Sequence, residues 1–321
     1  MKQIIKRGRF FTLMFMLLGC LSLYAADNDL ITKQITINLE EAGTLPDRIA
    51  SSKKYKITNL KIIGEINGTD LKMIREMAGG NYTAGKLSVL DLSEAKIVEG
   101  GDSYYYNYYT SNDVIGSYAF HDCSRLTSLN LPAGITSIGD GAFHGCNGLT
   151  SLNLPAGITE IGENAFQYCS GLTSLNLPAG VTEIGYRAFK GCSGLTSLTL
   201  PAGITEIGKE AFYGCSGLTS IYVYAEKVPK IYSDVFLGID AKKCTLYVPM
   251  GTYDDYWVSD FGNYFENIVE FDATGIDKTT TSTDVEEVGR YSVNGQRLSA
   301  PTKGLNIVKY SDGSVKKVAV R

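Results

Sequence analysis

Short parallel strands joined by tight helical turns into a leucine-rich repeat solenoid are predicted by three periodic features. Phe120, Phe143, Phe166, Phe189 and Phe212 recur every 23 residues. Cys123, Cys146, Cys169, Cys192 and Cys215 keep the same interval. Each unit carries L-x-x-L-x-L, as in Leu126/Leu129/Leu131 and Leu149/Leu152/Leu154. A period in the twenties with this triplet marks a stack of coils, because one unit cannot bury its own apolar face.

The 321-residue chain, 44% hydrophobic and 20% charged, is long enough for a sizeable core. Residues 1–26 read as a signal peptide. Lys2, Lys6, Arg7 and Arg9 precede an apolar run, Phe10–Leu23, that is too short for a comfortable membrane span. The expected location is therefore exported: cell surface, outer membrane or extracellular. Leu17-Leu18-Gly19-Cys20 resembles a lipobox, in which Cys20 would carry a lipid anchor, while Ala25-Ala26-Asp27 offers ordinary cleavage. No later stretch has transmembrane length. Losing the basic leader moves the net charge from −4 to −8, which argues against a nucleic-acid partner.

Residues 27–114 read as an N-terminal cap with degenerate repeats. ITKQITINL alternates as a strand, and LPDRIASSKKY as a short helix with Pro46 in its first turn. GTDLKMIREMAGG reads as a helix capped by Thr69 or Asp70 and ended by Gly79-Gly80. Ile57/Leu60/Ile62 and Leu87/Leu90/Leu92 have repeat spacing. A Tyr-rich insertion follows: Tyr104, Tyr105, Tyr106, Tyr108 and Tyr109.

Regular repeats occupy 115–248. The pleat sends Leu129 and Leu131 inward and Ser128 and Asn130 outward, and Pro132 ends the ladder. Ile135 and Ile138 make a second inward pair, and Ala142, Phe143 and Cys146 pack from a tight helical turn. The aromatic-rich 249–273 closes the last coil, since a solenoid end exposes core and strand edge. A polar, Thr-rich linker spans 274–287. The remainder, 288–321, is a small β module with turns at Asn294-Gly295 and Asp312-Gly313 and a basic composition.

The unit I-G-x-x-A-F-x-G-C-S-x-L-T-S-L-x-L-P-x-G-I-T-x resembles the BspA-like class of bacterial surface leucine-rich repeat proteins over about 115–272. The last 35 residues, with VNGQRL, KGLNIV and a basic end, resemble the C-terminal sorting modules of type IX secretion. The resemblance implies a secreted or surface binding protein, adhesin-like, whose partner is an extracellular protein or polysaccharide. The alternative is a structural surface protein without a dedicated ligand.

Candidate partner-binding residues fall in two places. One is the outward strand column Asn130, Asn153, Asn176, Thr199 and Tyr222, with Tyr224 and Tyr247 beside its end. The other is the Tyr104–Tyr109 insertion; tyrosine is a preferred interface anchor. Both are expected at the ends of one strand face.

Cofactor, metal and catalytic sites are not expected. The repeated cysteines occupy one inward position in every coil, which points to buried thiols rather than disulfides. His121 and His144 share a repeat column but lack a third ligand in the sequence pattern, so they make an incomplete metal set. Glu160, Glu183 and Glu206 read as a solvated ladder. No phosphate loop, nucleophile elbow or paired acid stands out, so a non-enzyme is expected.

Overall fold

The computed structural model describes residues 29–273, 287–292, 297–298, 300, 303–310 and 315–320. The leader with Cys20, the linker from 274 to 286 and the two Asn-Gly and Asp-Gly turns lie outside the described residues.

The N-terminal cap starts with β1 (Ile35–Leu39). Two single helical turns follow, α1 (Leu45–Arg48) and α2 (Ser51–Lys54), where the sequence predicts one short helix; Ile49 and Ala50 leave helical geometry between them. β2 (Asn59–Ile66) leads into α3 (Gly68–Met77). The cap of α3 is Asn67, two residues before Thr69 and three before Asp70. Asn67 Oδ1 accepts from the Thr69 N–H, and Asp70 reaches back to the Asn67 N–H at 2.9 Å, a capping box. Asp70 is fully buried and also accepts from the N–H groups of Gly43 and Leu45, so one carboxylate ties α1 to α3. β3 (Val89–Ile97) precedes a hairpin of β4 (Gly100–Tyr105) and β5 (Tyr108–Thr110).

From there each coil contributes one strand to each of two parallel ladders. The leucine ladder comprises β7 (Ser128–Asn130), β9 (Ser151–Asn153), β11 (Ser174–Asn176), β13 (Ser197–Leu200), β15 (Ser220–Val223) and β17 (Thr245–Pro249). β1, β2 and β3 extend it at one end and β18 (Asn267–Phe271) at the other. The second ladder was read from sequence only as an inward Ile pair. It is a six-stranded sheet of two-residue strands: β6 (Val114–Ile115), β8 (Ser137–Ile138), β10 (Glu160–Ile161), β12 (Glu183–Ile184), β14 (Glu206–Ile207) and β16 (Lys230–Ile231). Register is strict: Leu175 pairs with Leu198 and Ile161 with Ile184, one repeat apart. The leucine ladder divides into two sheets between β9 and β11.

The third side of each coil is a run of turns, not a helix. His144 N–H closes on Gly141 O and Cys146 N–H on Phe143 O, while the alternate N–H groups reach the next coil. Gly141, Phe143 and Gly145 thus donate to Glu163, Ala165 and Gln167 at 2.7–2.8 Å. That alternation requires left-handed backbone at two positions per coil. Gly141 and Gly145 supply it in one coil; Asn164 (φ 55°) and Tyr168 (φ 60°) accept it in the next. The inter-coil hydrogen bonds offset the strain.

The core runs the length of the stack. Phe120, Phe143, Phe166, Phe189, Phe212 and Phe236 form a single pile of nearly parallel rings, centroids 5.1–5.6 Å apart. The leucine, isoleucine and cysteine columns surround it and are buried, except Leu154 where the ladder divides, which is only partly so. Threonines stitch the coils outside the core. Thr150, Thr173, Thr196 and Thr219 each donate their hydroxyl to the carbonyl of the threonine one coil earlier, at 3.0–3.3 Å. At the C-terminal end α4 (Tyr253–Val258) and the following turn bring Tyr256, Phe261 and Phe265 over Phe236 and seal the pile; Tyr256 Oη donates to Ala225 O at 2.7 Å.

The tail strands β19 (Glu287–Ser292), β20 (Arg297–Leu298), β21 (Gly304–Tyr310) and β22 (Val315–Val320) form one antiparallel sheet in the order β20-β19-β21-β22. No helix among the described residues is long and apolar enough to cross a membrane.

Candidate binding surfaces

The outward face of the leucine ladder is graded along its length. Its central column begins with Lys61 on β2 and Asp91 on β3, continues through Asn130, Asn153, Asn176 and Thr199, and ends in Tyr222 and Tyr247. The register that stacks the leucines inward places these side chains in line outward. Lys61 Nζ lies 2.6 Å from Glu94 and 3.6 Å from Asp91, a charged end that the sequence reading did not single out. The three asparagines are exposed. A shallow cleft of about 120 Å³ opens where the ladder divides, lined by Ser151, Asn153, Leu154, Ser174 and Asn176.

The other end is aromatic. Tyr222 and Tyr247 stack at 4.4 Å, and Phe271 of β18 meets Tyr222 and Tyr224 edge-on at 5.8 and 5.0 Å. All three tyrosines are half-buried. Partial burial raises the phenol pKa of Tyr222 and Tyr224 above its ordinary value, so both remain neutral donors at physiological pH. Phe271 completes this platform. No repeat spacing marks it, because it enters from the closing strand.

The Tyr-rich hairpin lies elsewhere. β4 packs on α3, and its rings lean on the turn side of the first coils rather than on the strand face. Tyr105 stacks on His121 at 5.4 Å and covers the Arg75 guanidinium at 4.5 Å. Tyr108 meets Tyr118 at 5.1 Å. The expectation that both tyrosine groups end one face is corrected: they occupy different sides of the solenoid. Tyr104 leaves the candidate surface altogether. It is 2% exposed and its hydroxyl donates to Ser117 O at 2.8 Å, which makes it cap core. Tyr106, Tyr108 and Tyr109, at 78%, 39% and 58% exposed, are the solvent-facing members.

The turn side carries the greater side-chain variety. A chain of rings runs from Tyr106 through Tyr105, His121 and His144 to Tyr168, with neighbours 4.7–5.6 Å apart. Beyond it Arg187 and Lys190 both bond Glu210, at 2.7–3.0 Å. His121, His144, Gln167, Lys190 and Tyr213 form one column here. Their variability in the sequence was the available signal; in the fold the column is half-buried, from Gln167 at 8% exposed to Tyr213 at 36%.

Residues 113–242 match the family described as BspA type leucine rich repeat region, in six copies. Among solved structures, the leucine rich repeat protein TpLRR of T. pallidum is 30% identical over 43% of this chain and 63% of its own, with a TM-score of 0.40. A leucine rich cell surface protein of Faecalibacterium prausnitzii is 18% identical over 63% of this chain and 65% of its own, TM-score 0.38. The pneumococcal vaccine antigen PcpA is 17% identical over 74% of this chain and 67% of its own, TM-score 0.40. The chain thus spans slightly less than two thirds of the first two. No curated protein matches it.

Proposed function

We propose that this protein is a non-enzymatic, exported binding protein, adhesin-like, that presents its solenoid at the cell surface or outside it to an extracellular protein or polysaccharide. The observation that carries the reading is the graded strand face: a line of exposed amides leading to the Tyr222–Tyr247–Phe271 platform. Neutral hydrogen-bonding groups beside large amphipathic rings suit a partner held along its length and anchored at one end. The basic leader with its apolar run supports export. The short antiparallel tail fits a separate role in sorting or attachment, as its type IX resemblance implies.

The test is a saturable-binding screen of the purified chain against arrays of matrix proteins and polysaccharides. For any ligand found, Tyr222→Ala is expected to weaken binding by about tenfold or more, consistent with an interface anchor worth about 2 kcal/mol, and Asn153→Ala by much less. Equal affinities for the two variants would remove the platform from the reading.

A second reading rests on the uniformity of the middle coils. Asn130, Asn153 and Asn176 repeat unchanged and offer a partner no local distinction. On that reading the protein is structural, and no array member binds saturably.

A further inference from the structure

At the N-terminal end of the turn side, His121, Asp122 and His144 converge. Their potential ligand atoms all lie within 4.8 Å of one another. The sequence reading dismissed the two histidines for want of a third ligand; the fold supplies it. His121 and Asp122 are adjacent in the chain and would ordinarily point apart. Here Asp122 adopts left-handed backbone (φ 56°), and its N–H donates to His144 O at 2.8 Å. That bond ties Asp122 to the next coil and brings its carboxylate beside both rings. Asp122 Oδ2 is 3.3 Å from His121 Nδ1, and the two imidazoles stack with centroids 4.8 Å apart.

We propose that His121, Asp122 and His144 form a binding site for a divalent transition-metal ion of the zinc type. Two imidazoles and one carboxylate are a donor set zinc takes, with a fourth position left to solvent. A four-coordinate ion at about 2.1 Å from each donor holds the donors about 3.3 Å apart. The His121–Asp122 pair is already at that distance. His144 must close by up to about 1.5 Å on the same zinc–ligand geometry and turn its ring out of the stack, because an imidazole lone pair lies in the ring plane and the two rings stand within 8° of parallel. His144 Nδ1 is buried and has no hydrogen-bond partner, one of two such side-chain atoms among the described residues. A buried polar atom without a partner is costly unless something fills the place.

The surroundings enclose the pair on two sides. Tyr105 covers His121 from one side, and Tyr168 meets His144 edge-on from the other. The His121 and Asp122 side chains remain 19% and 31% exposed, which leaves an entry path. Arg75 is the opposing charge. It is held against Tyr118 O and Ala119 O and under the Tyr105 ring.

The experiment is zinc titration of the tag-free chain by calorimetry, with Co²⁺ absorption spectra as a second readout. One ion per chain is expected. His144→Gln, His121→Gln and Asp122→Asn should each weaken binding by about tenfold or more, at least what loss of a ligand's own hydrogen-bond partner costs, with the metal-free melt unchanged. Glutamine suits the histidine column because Gln167 already occupies it, and asparagine tolerates the left-handed backbone of Asp122. Should His144→Gln disturb the metal-free melt, Asp122→Asn decides. No zinc bound by the unaltered chain, binding that survives Asp122→Asn at full strength, or binding indifferent to all three changes would overturn the proposal. In the first case a water would satisfy His144 Nδ1.

Discussion

Cys169 Sγ lies 3.0 Å from the carbonyl oxygen of Phe143, 26 residues earlier and one coil away, and donates its S–H to it. Cys146, Cys192 and Cys215 repeat the bond to Phe120, Phe166 and Phe189 at 3.0–3.2 Å. The cysteine column is therefore more than small apolar filling. Each thiol adds a weak donor to a carbonyl oxygen of the preceding coil's turn, and the same atoms hold adjacent coils in register. All six cysteines among the described residues are free and buried.

These thiols are expected to be inert in the folded protein. Burial pushes Cys123 and Cys169 up to about 12 from an ordinary value of 9.0. An acid whose folded pKa is raised stabilises the fold fully below its unfolded value, and that stability is lost as pH climbs toward the folded value. The unfolding midpoint should therefore hold between pH 7 and 9 and fall between about 9 and 12. Tyr104, also pushed up to about 12 by burial, acts in the same direction. Comparing Cys169→Ala with the unaltered chain across that range isolates the thiol: the variant should start lower by about 1–2 kcal/mol, for the void and the lost S–H···O bond, and fall less steeply. Thiol labelling at pH 8 that proceeds without unfolding would contradict the buried column.

Phe166 sits at the middle of the ring pile, 5.1 Å from both Phe143 and Phe189. Phe166→Ala is expected to cost about 3–5 kcal/mol. Because each coil contacts only its neighbours, the loss should loosen the coils on both sides before the caps. Hydrogen exchange should show protection falling first around residues 143 and 189. An unchanged denaturation midpoint would mean that the rings slide to close the gap.

The solenoid was legible because its spacing is repeated, and repetition averages out local ambiguity. The Leu, Phe and Cys columns needed only the period. What lacked a period was lost. Asp122 has Gly145, Tyr168 and Gly191 as its column mates, so no pattern marks it as a ligand. Phe271 reaches the aromatic platform through β18, after the repeat has ended. Tyr104 and Tyr106 are two residues apart in one Tyr-rich run, yet one is core and the other solvent-facing; Tyr106, in left-handed backbone (φ 44°), ends the alternation of β4 and turns the chain outward. The second ladder escaped because two-residue strands are too short to show alternation.

Truncation after residue 273 should leave the solenoid intact. The tail's sheet is built from its own strands, and among the described residues Lys309 Nζ pairs with Asp272 of the closing cap at 2.5 Å, a partly exposed ion pair. Such pairs contribute about 0–1 kcal/mol. The truncated chain should melt within a few degrees of the full one and keep its far-ultraviolet spectrum, less the tail. A collapse of the midpoint would show that the tail sheet shields the exposed edge of β18.

The Tyr-rich hairpin divides into residues that hold the cap and residues available to a partner, and single substitutions should separate them. Tyr104 is buried with its hydroxyl on Ser117 O, so Tyr104→Ala leaves a cavity and an unmet carbonyl and should cost about 3–5 kcal/mol, as other large buried aromatic truncations do. Tyr104→Phe, which keeps the ring and loses only the hydrogen bond, should cost about 1 kcal/mol. Tyr106→Ala removes a solvent-facing ring whose one close partner is Tyr105, edge-on at 4.7 Å, and should change stability by about 0.5 kcal/mol or less. Denaturant melts of the three variants check the order. If Tyr106→Ala proved as damaging as Tyr104→Ala, the exposed ring would be bracing Tyr105 over Arg75, and the hairpin would be wholly structural.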